Sequence, residues 1–268
     1  MVAATDTLVE RLRRAAAASG SWLCVGLDPD IAVLDSATAM EAWCAATIEA
    51  TLPHAAAYKP NTAFYEQYGS AGWAVLERLR GRIPDDRVLL VDGKRGDIGS
   101  TAEAYARALF DGLGADAVTV NPLMGRDAVE PFLARPGGGV FLVTRTSNPG
   151  AADLLEQPAG DPPAPLYTRI TDLARAWDPG GMIGLVVGAT APDAIAAVRA
   201  LAPAAPLLLP GVGAQGGSLE AAVTAAADAS GGGFLLSVSR GIAAAPEGPA
   251  AAARVLRDRI SAALSASR

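Results

Sequence analysis

The sequence predicts an α/β fold in which a single domain alternates strands with helices. Its 268 residues are close to the roughly 250 residues of a typical (β/α)8 barrel. Short apolar runs occur eight times along the chain, and segments with Ala and Leu at helical spacing separate them. This order is typical of parallel strands joined by helices. Eight such units predict a single-domain (β/α)8 TIM barrel over residues 1–268.

The eight predicted strands are apolar along most of their length, as expected for strands that are buried on both faces. They span residues 21–28, 55–61, 87–94, 117–122, 140–147, 183–190, 207–212 and 234–239. A doubly wound open sheet remains the alternative, because periodicity does not distinguish a closed sheet from an open one.

Helical spacing predicts a helix before the first strand and further helices between later strands. The predicted helices include residues 5–19, 38–52, 72–82, 101–113, 192–201 and 218–229. The first carries Arg11, Arg13 and Arg14 and has the pattern of an amphipathic helix without the apolar stretch of a signal peptide. No apolar run approaches the roughly 20 residues of a membrane helix. We therefore expect a cytoplasmic protein with no membrane partner.

One segment interrupts this order after the fifth predicted strand. Residues 148–165 include five prolines and two glycines, which predicts a loop insertion. Loops that follow barrel strands lie on the catalytic face. A lid over the site and a tolerated surface insertion are therefore equal alternatives.

Charge and composition exclude several classes of function. The net charge of −6 argues against a nucleic-acid partner, which needs a basic surface to displace counterions. The two cysteines, Cys24 and Cys44, are too few for a disulfide framework, and the lone His54 excludes a histidine-rich metal site. We expect buried, reduced thiols and no metal.

Lysine occurs at only two positions. Of the 22 basic residues, Lys59 and Lys94 are lysine and all the others are arginine. Arginine stays protonated in proteins, whereas lysine can donate a proton near neutral pH. The two lysines are therefore candidates for acid–base chemistry, with chance retention on the surface as the alternative.

Charged side chains follow the first three predicted strands at their carboxyl ends, where barrel enzymes carry out catalysis. Asp28 ends the first strand, Lys59 lies in the second, and Asp92 and Lys94 end the third. Side chains two residues apart on a strand share a face, so Asp92 and Lys94 should both point toward the barrel axis. We expect both lysines to converge on one opening of the barrel.

Residues 92–101 resemble the Asp-x-Lys-x-x-Asp-Ile-x-x-Thr signature of orotidine 5′-phosphate decarboxylases, and in particular the actinobacterial-type branch. Further motifs follow the order of that family: Gly26-Leu27-Asp28, Lys59, residues 146–150, residues 210–217 and Ser239-Arg240-Gly241. The resemblance implies conversion of orotidine 5′-phosphate to UMP and carbon dioxide in pyrimidine biosynthesis, without a metal or an organic cofactor.

The resemblance also implies a role for each matching residue. Lys94 would donate a proton to C6 of the pyrimidine, where negative charge develops, and Asp92 and Asp97 would flank the substrate carboxylate. Lys59 would bridge the aspartates and a ribose hydroxyl. The implied substrate-binding residues are Asp28 for the ribose, Ser147 and Gln215 for the base, and Pro210, Gly211, Arg240 and Gly241 around the phosphate.

In the family that this sequence resembles, Asp97, Ile98 and Thr101 reach into the site of the neighbouring subunit. Asp97 is an odd number of residues away from Asp92 and from Lys94 and lies beyond the predicted strand end. Its side chain therefore need not point into its own barrel. The resemblance implies a homodimer with shared active sites.

Three other interpretations remain open. Residues 211–216 match the Gly-x-Gly-x-x-Gly pattern of dinucleotide-binding folds, but they lie in the seventh unit instead of the first. A magnesium-dependent sugar-phosphate lyase shares the Asp-x-Lys-x-x-Asp pattern, but it would need acidic ligands near the second strand, where Lys59 and Asn61 stand. An inert barrel that binds nucleotides or serves as a scaffold is the third.

Overall fold

The computed structural model describes residues 6–178, 180–213 and 215–266. Within these ranges, eight parallel strands form a closed barrel in sequential order. They are β1 Leu23–Gly26, β2 Ala57–Lys59, β3 Val88–Arg95, β4 Ala117–Val120, β5 Gly139–Arg145, β6 Ile183–Val187, β7 Leu207–Pro210 and β8 Phe234–Val238. The last strand pairs with the first, with Leu236 beside Leu23. This pairing confirms the predicted barrel and excludes the open sheet.

Helices surround the barrel, and each of the six helix ranges predicted from the sequence overlaps one of them. They are α1 Leu8–Ser19, α2 Ala37–Thr51, α3 Ala63–Glu66, α4 Gly69–Leu79, α5 Gly99–Ala106, α6 Arg126–Leu133, α7 Ala151–Leu154, α8 Leu166–Trp177, α9 Pro192–Leu201, α10 Leu219–Ala226, α11 Arg240–Ala243 and α12 Pro249–Ala266. A π-helical turn, Arg107–Gly112, extends α5 to the predicted end of that helix. None of the helices in the described ranges is long and apolar enough to cross a membrane.

Helix α1 closes the amino-terminal end of the barrel. Its start is fixed by a capping box in which Thr7 and Glu10 each accept a hydrogen bond from the other's backbone N–H. This cap explains why the helix predicted over residues 5–19 begins at Leu8; residue 5 itself lies outside the described residues. Leu8 and Leu12 are buried among the side chains that fill the barrel interior. The opening of the barrel therefore lies at the carboxyl ends of the strands.

The strands are buried on both faces, as predicted from their lack of alternation. Leu90 of β3 belongs to the cluster inside the barrel, whereas Leu89 and Val91 belong to the cluster between the barrel and the helices. Cys24 and Cys44 are buried and free, and burial raises the pKa of the Cys24 thiol to about 12. Both thiols therefore act as small apolar side chains.

The proline-rich segment 148–165 contains the short helix α7 and a two-strand hairpin formed by Pro158–Ala159 and Ala164–Pro165. Its apolar residues, with Ile170 of α8, form a small separate core. Glu156 pairs with Arg145 at the end of β5, with 2.6 Å between Oε1 and Nη2. The segment is therefore anchored at the rim of the barrel opening.

Candidate active site

A cavity of about 600 Å³ opens at the carboxyl ends of the strands. This volume is within the usual range for small-molecule sites. Ten of the residues singled out from the sequence line it: Asp28, Lys59, Asp92, Lys94, Ser147, Pro210, Gly211, Gln215, Arg240 and Gly241. The prediction that these strand ends converge on one opening is confirmed.

Three charged side chains form a connected group in this cavity. Lys59 Nζ donates a hydrogen bond of 2.9 Å to Asp92 Oδ2, and Lys94 Nζ donates one of 2.7 Å to Asp92 Oδ1. The residues Lys59 and Asp92 are only 6% and 7% exposed, whereas the side chain of Lys94 is 45% exposed. The group therefore presents one ammonium to the cavity and keeps the other beneath it.

The electrostatics of this group follow from the close contact of opposite charges. Burial alone would raise the pKa of Asp92, but the charges and hydrogen bonds of Lys59 and Lys94 outweigh it and hold that pKa well below its usual range. Burial alone would lower the pKa of Lys59, but the Asp92 and Asp28 carboxylates raise it above its ordinary value. Asp92 is therefore ionised, and Lys59 protonated, at neutral pH.

Lys94 reaches Asp92 through an irregular backbone, whereas the sequence predicts a regular strand at this position. The pairing of β3 with β4 shifts in register between Val91 and Arg95. Lys94 has φ of 45°, the one non-glycine residue with positive φ in the described ranges. Such a conformation is uncommon for a residue with a side chain and is concentrated at functional sites. The predicted meeting of Asp92 and Lys94 is confirmed, but the local geometry behind it was not predicted.

The carboxyl ends of β1, β2 and β3 are tied together beside the charged group. Asp28 Oδ1 accepts a hydrogen bond of 3.2 Å from the backbone N–H of Asn61. Asn61 in turn forms a parallel bridge with Asp92. Asp28 and Asp92 are therefore held at fixed positions in the cavity wall, on the two sides of the end of β2.

The loop after β7 brings Gly211 close to Ser147 and Gln215. A Cβ at position 211 would lie 2.7 Å from Ser147 Cβ and 3.0 Å from Gln215 Oε1. Gly211 also has φ of 102°, a conformation that favours glycine. Only glycine therefore allows this backbone to approach the two polar side chains.

Arg240 is the first residue of α11, two residues after the end of β8, and its side chain is exposed at the cavity. In the described part of the chain it has no carboxylate partner within ion-pair distance. Arg240 is therefore available to bind an anionic group of a ligand at this side of the cavity.

Asp97, Ile98 and Thr101 do not line the cavity of their own chain. Ile98 is 58% exposed, Thr101 is exposed, and Asp97 is half-buried. The Asp97 carboxylate accepts a hydrogen bond of 2.8 Å from the Ile98 N–H. These three residues of the motif stand at the rim of the barrel, outside the group formed by Lys59, Asp92 and Lys94.

Several residues of the cavity wall were not predicted from the sequence, and of these Thr119 is closest to the charged group. Thr119 Oγ1 donates a hydrogen bond of 2.8 Å to Asp92 Oδ1. Its position in the sequence could have indicated it, because Thr119 is the one polar residue in the strand Ala117–Val120.

Among the described residues, no cluster of three or more His, Cys, Asp and Glu side chains is arranged to hold a metal ion.

This arrangement of charges can stabilise a negative charge that develops in the cavity. The ionised Asp92 holds the Lys94 ammonium in place, and an ammonium can also donate a proton to a carbon or oxygen that gains an electron pair. Two fixed cations around one carboxylate therefore suit a reaction in which a ligand loses an electrophilic group and then gains a proton.

Comparison with known proteins shows similarity along most of the chain. A model of the orotidine 5′-phosphate decarboxylase / HUMPS family matches residues 21–256. Orotidine 5′-phosphate decarboxylase from Roseiflexus castenholzii is 49% identical over 269 residues, covering 96% of this chain and 98% of the relative. The enzyme of that name from Thermomicrobium roseum is 46% identical over 263 residues, covering 94% of each.

The fold is also that of a solved structure of similar sequence. The structure of Leishmania donovani OMP decarboxylase has a TM-score of 0.90 and 42% identity, covering 97% of this chain and 100% of that chain. The residues matched by the family model include all eight barrel strands.

Proposed function

Because the chain belongs to the orotidine 5′-phosphate decarboxylase / HUMPS family, we propose that the cavity at the carboxyl ends of its strands is the site of its reaction. The chain is a carboxy-lyase that converts orotidine 5′-phosphate to UMP and carbon dioxide in pyrimidine biosynthesis. The observation that best supports this site is the hydrogen-bonded group of Lys59, Asp92 and Lys94.

Lys94 is the proposed proton donor. When the bond between C6 and the carboxylate breaks, carbon dioxide leaves and the electron pair of that bond stays on C6. The Lys94 ammonium faces the cavity, where it stabilises this charge and then transfers a proton to C6. The product is UMP, and solvent returns a proton to the amine.

The proposed role of Asp92 is to orient Lys94 and to place a fixed negative charge beside the substrate carboxylate. Repulsion between these carboxylates favours loss of carbon dioxide, because the charge leaves the carboxylate as the bond breaks. Lys59 offsets part of the charge of Asp92 and extends toward a ribose hydroxyl. Asp97 of a second subunit would add the other flanking carboxylate.

The remaining residues are proposed to hold the nucleotide in place. Asp28 accepts a hydrogen bond from the ribose, and Ser147 and Gln215 contact the base. Arg240 binds the phosphate, together with backbone N–H groups near Gly211 and Gly241, after the seventh and eighth strands, where barrel enzymes commonly bind phosphate. The positions of these residues around one cavity support this assignment.

Replacement of Arg240 by alanine should raise KM for orotidine 5′-phosphate about 30- to 1000-fold with a small change in kcat, a loss of roughly 2 to 4 kcal/mol. The charge-assisted contact to phosphate is made equally in the ground state and the transition state, so binding is mainly affected. Steady-state assays give both constants, and Arg175→Ala, which alters an exposed arginine of α8, is the control. An unchanged KM in Arg240→Ala would place the phosphate elsewhere.

The proposed active form is a homodimer with shared sites. Large apolar side chains are exposed after three adjacent strands: Phe64 after β2, Ile98 after β3, and Leu123 and Met124 after β4. The loops after β3 and β4 are joined, since the Asn121 N–H donates to the Arg95 carbonyl at 2.8 Å. An exposed apolar surface beside a site suits burial against a second copy of the chain.

A magnesium-dependent lyase is the rival enzyme, because it shares the Asp-x-Lys-x-x-Asp pattern. The buried ammonium of Lys59 occupies the end of β2 and hydrogen-bonds to Asp92, which opposes a cation at that position. Decarboxylation followed by ultraviolet absorbance should be unchanged when EDTA is added to the purified protein. Loss of activity with EDTA that magnesium restores would instead support the metal-dependent lyase.

Two further proposals concern origin and location. The form of the motif at residues 92–101 supports the actinobacterial-type branch, and a phylogenetic tree of the family tests it. A cytoplasmic location suits an enzyme that acts on a phosphorylated intermediate, and microscopy of a tagged chain in its own cells tests that.

A further inference from the structure

The hydroxyl of Thr119 forms hydrogen bonds with both Lys94 and Asp92. Its oxygen accepts a hydrogen bond of 2.9 Å from the backbone N–H of Lys94 and donates one of 2.8 Å to Asp92 Oδ1. Thr119 is 1% exposed and lies in the middle of β4. One buried hydroxyl therefore joins the backbone of Lys94 to the carboxylate that its side chain binds.

The backbone of Lys94 needs such a partner. The register of β3 against β4 shifts between Val91 and Arg95, so the Lys94 N–H does not enter the regular ladder of backbone hydrogen bonds. Lys94 also has positive φ, which must be held by its surroundings. The Thr119 hydroxyl satisfies this N–H at the point where β3 becomes irregular.

The orientation of Asp92 depends on the same hydroxyl. Its Oδ2 accepts from Lys59 Nζ, while its Oδ1 accepts from both Lys94 Nζ and Thr119 Oγ1. Without the hydroxyl, the Asp92 carboxylate would be held by the two ammonium groups alone. Rotation of the carboxylate would then move the Lys94 ammonium with it.

We propose that Thr119 is a positioning residue, which fixes the backbone of Lys94 and the carboxylate of Asp92 before substrate binds. This inference rests on the proposed function, in which Lys94 stabilises the charge at C6 and donates the proton. A cation that is already in place stabilises that charge without reorganisation during the reaction. Thr119 therefore affects the transition state more than the binding of substrate or product.

Thr119→Val should lower kcat about 10- to 100-fold, because small displacements of reacting groups have effects of this size. KM and the dissociation constant for UMP should change less than about threefold. Affinity for a UMP analogue with an anionic oxygen at C6 should fall in parallel with kcat, since this analogue resembles the charge developed in the reaction. Thr119→Ser restores the hydroxyl and should keep kcat within about threefold of the wild-type value.

The matched control is Thr171→Val in α8, which also removes a buried threonine hydroxyl. Thr171 is 0% exposed, and its hydroxyl donates to the Tyr167 carbonyl, away from the cavity. This variant should keep wild-type kcat even if its melting temperature falls. A purely structural role for Thr119 predicts the same outcome for Thr119→Val: lower melting temperature with unchanged kcat of the folded protein.

Two results would overturn the inference. One is a kcat for folded Thr119→Val within twofold of the wild-type value, and the other is a folded Thr119→Ser as slow as Thr119→Val. If Thr119→Val does not fold, Thr119→Ala removes the same hydrogen bonds and is judged by the same kcat criterion. Lys94→Ala, assayed in parallel, tests the proposed function separately: full activity of that variant rejects the proton donor whatever Thr119 does.

Discussion

Replacement of Lys94 by alanine should lower kcat for orotidine 5′-phosphate by at least about 10⁴-fold, since it removes both electrostatic stabilisation and proton donation. UMP should still bind with a dissociation constant within about tenfold of the wild-type value, because the lysine acts mainly on charge that develops during the reaction. Ultraviolet assays at high enzyme concentration measure the turnover, and calorimetric titration with UMP measures the binding.

Lys94→Arg separates the two tasks of this lysine. Arginine keeps a cation beside Asp92 but does not give up a proton near neutral pH. Lys94→Arg should therefore also be slow, although its UMP affinity should be retained. Turnover of Lys94→Ala within tenfold of the wild-type rate, in protein shown to be folded by circular dichroism, would reject Lys94 as the proton donor.

The barrel could be predicted because its strands carry a local signal. Runs such as Leu207–Pro210 and Phe234–Val238 are short and mostly apolar, which is typical of strands that are buried on both faces. Closure could not be predicted in the same way. Closure depends on the pairing of Leu23 with Leu236, two residues far apart in the chain. Hydrophobic periodicity reports local structure and does not show that such distant residues pair.

The group of Lys59, Asp92 and Lys94 could be predicted, because the positions of the strand ends and the types of residue there were sufficient to locate it. Asp92 and Lys94 follow the apolar residues 88–91 of the third strand, and Lys59 is one of only two lysines in the chain. The contribution of Thr119 could not be predicted, because its hydrogen bonds cross to a neighbouring strand through a shift in register. A single sequence shows which residues occupy a strand, but not which residue of the next strand stands opposite each of them.

The proposed shared site depends on the different positions of Lys94 and Asp97 in one chain. Asp97 follows Lys94 by three residues, yet it lies outside the cavity that Lys94 lines. In a two-fold dimer, a side chain on the rim of one barrel can reach the opening of the other. Lys94 and Asp97 of one chain would then act in different sites. Mixing variants of these two residues therefore tests the shared site.

Lys94→Ala and Asp97→Ala homodimers should each be nearly inactive, yet their mixture should recover about a quarter of wild-type activity. In a heterodimer one site has both defects, while the other receives an intact Lys94 from one chain and an intact Asp97 from its partner. Random exchange makes about half of the dimers mixed, and half of their sites are whole. The control is a mixture of Lys94→Ala with Asp92→Ala: both residues line the same cavity, so every site keeps a defect and no activity should return. If differential tags show heterodimers in the first mixture and it stays as inactive as its parents, Asp97 serves the site of its own chain.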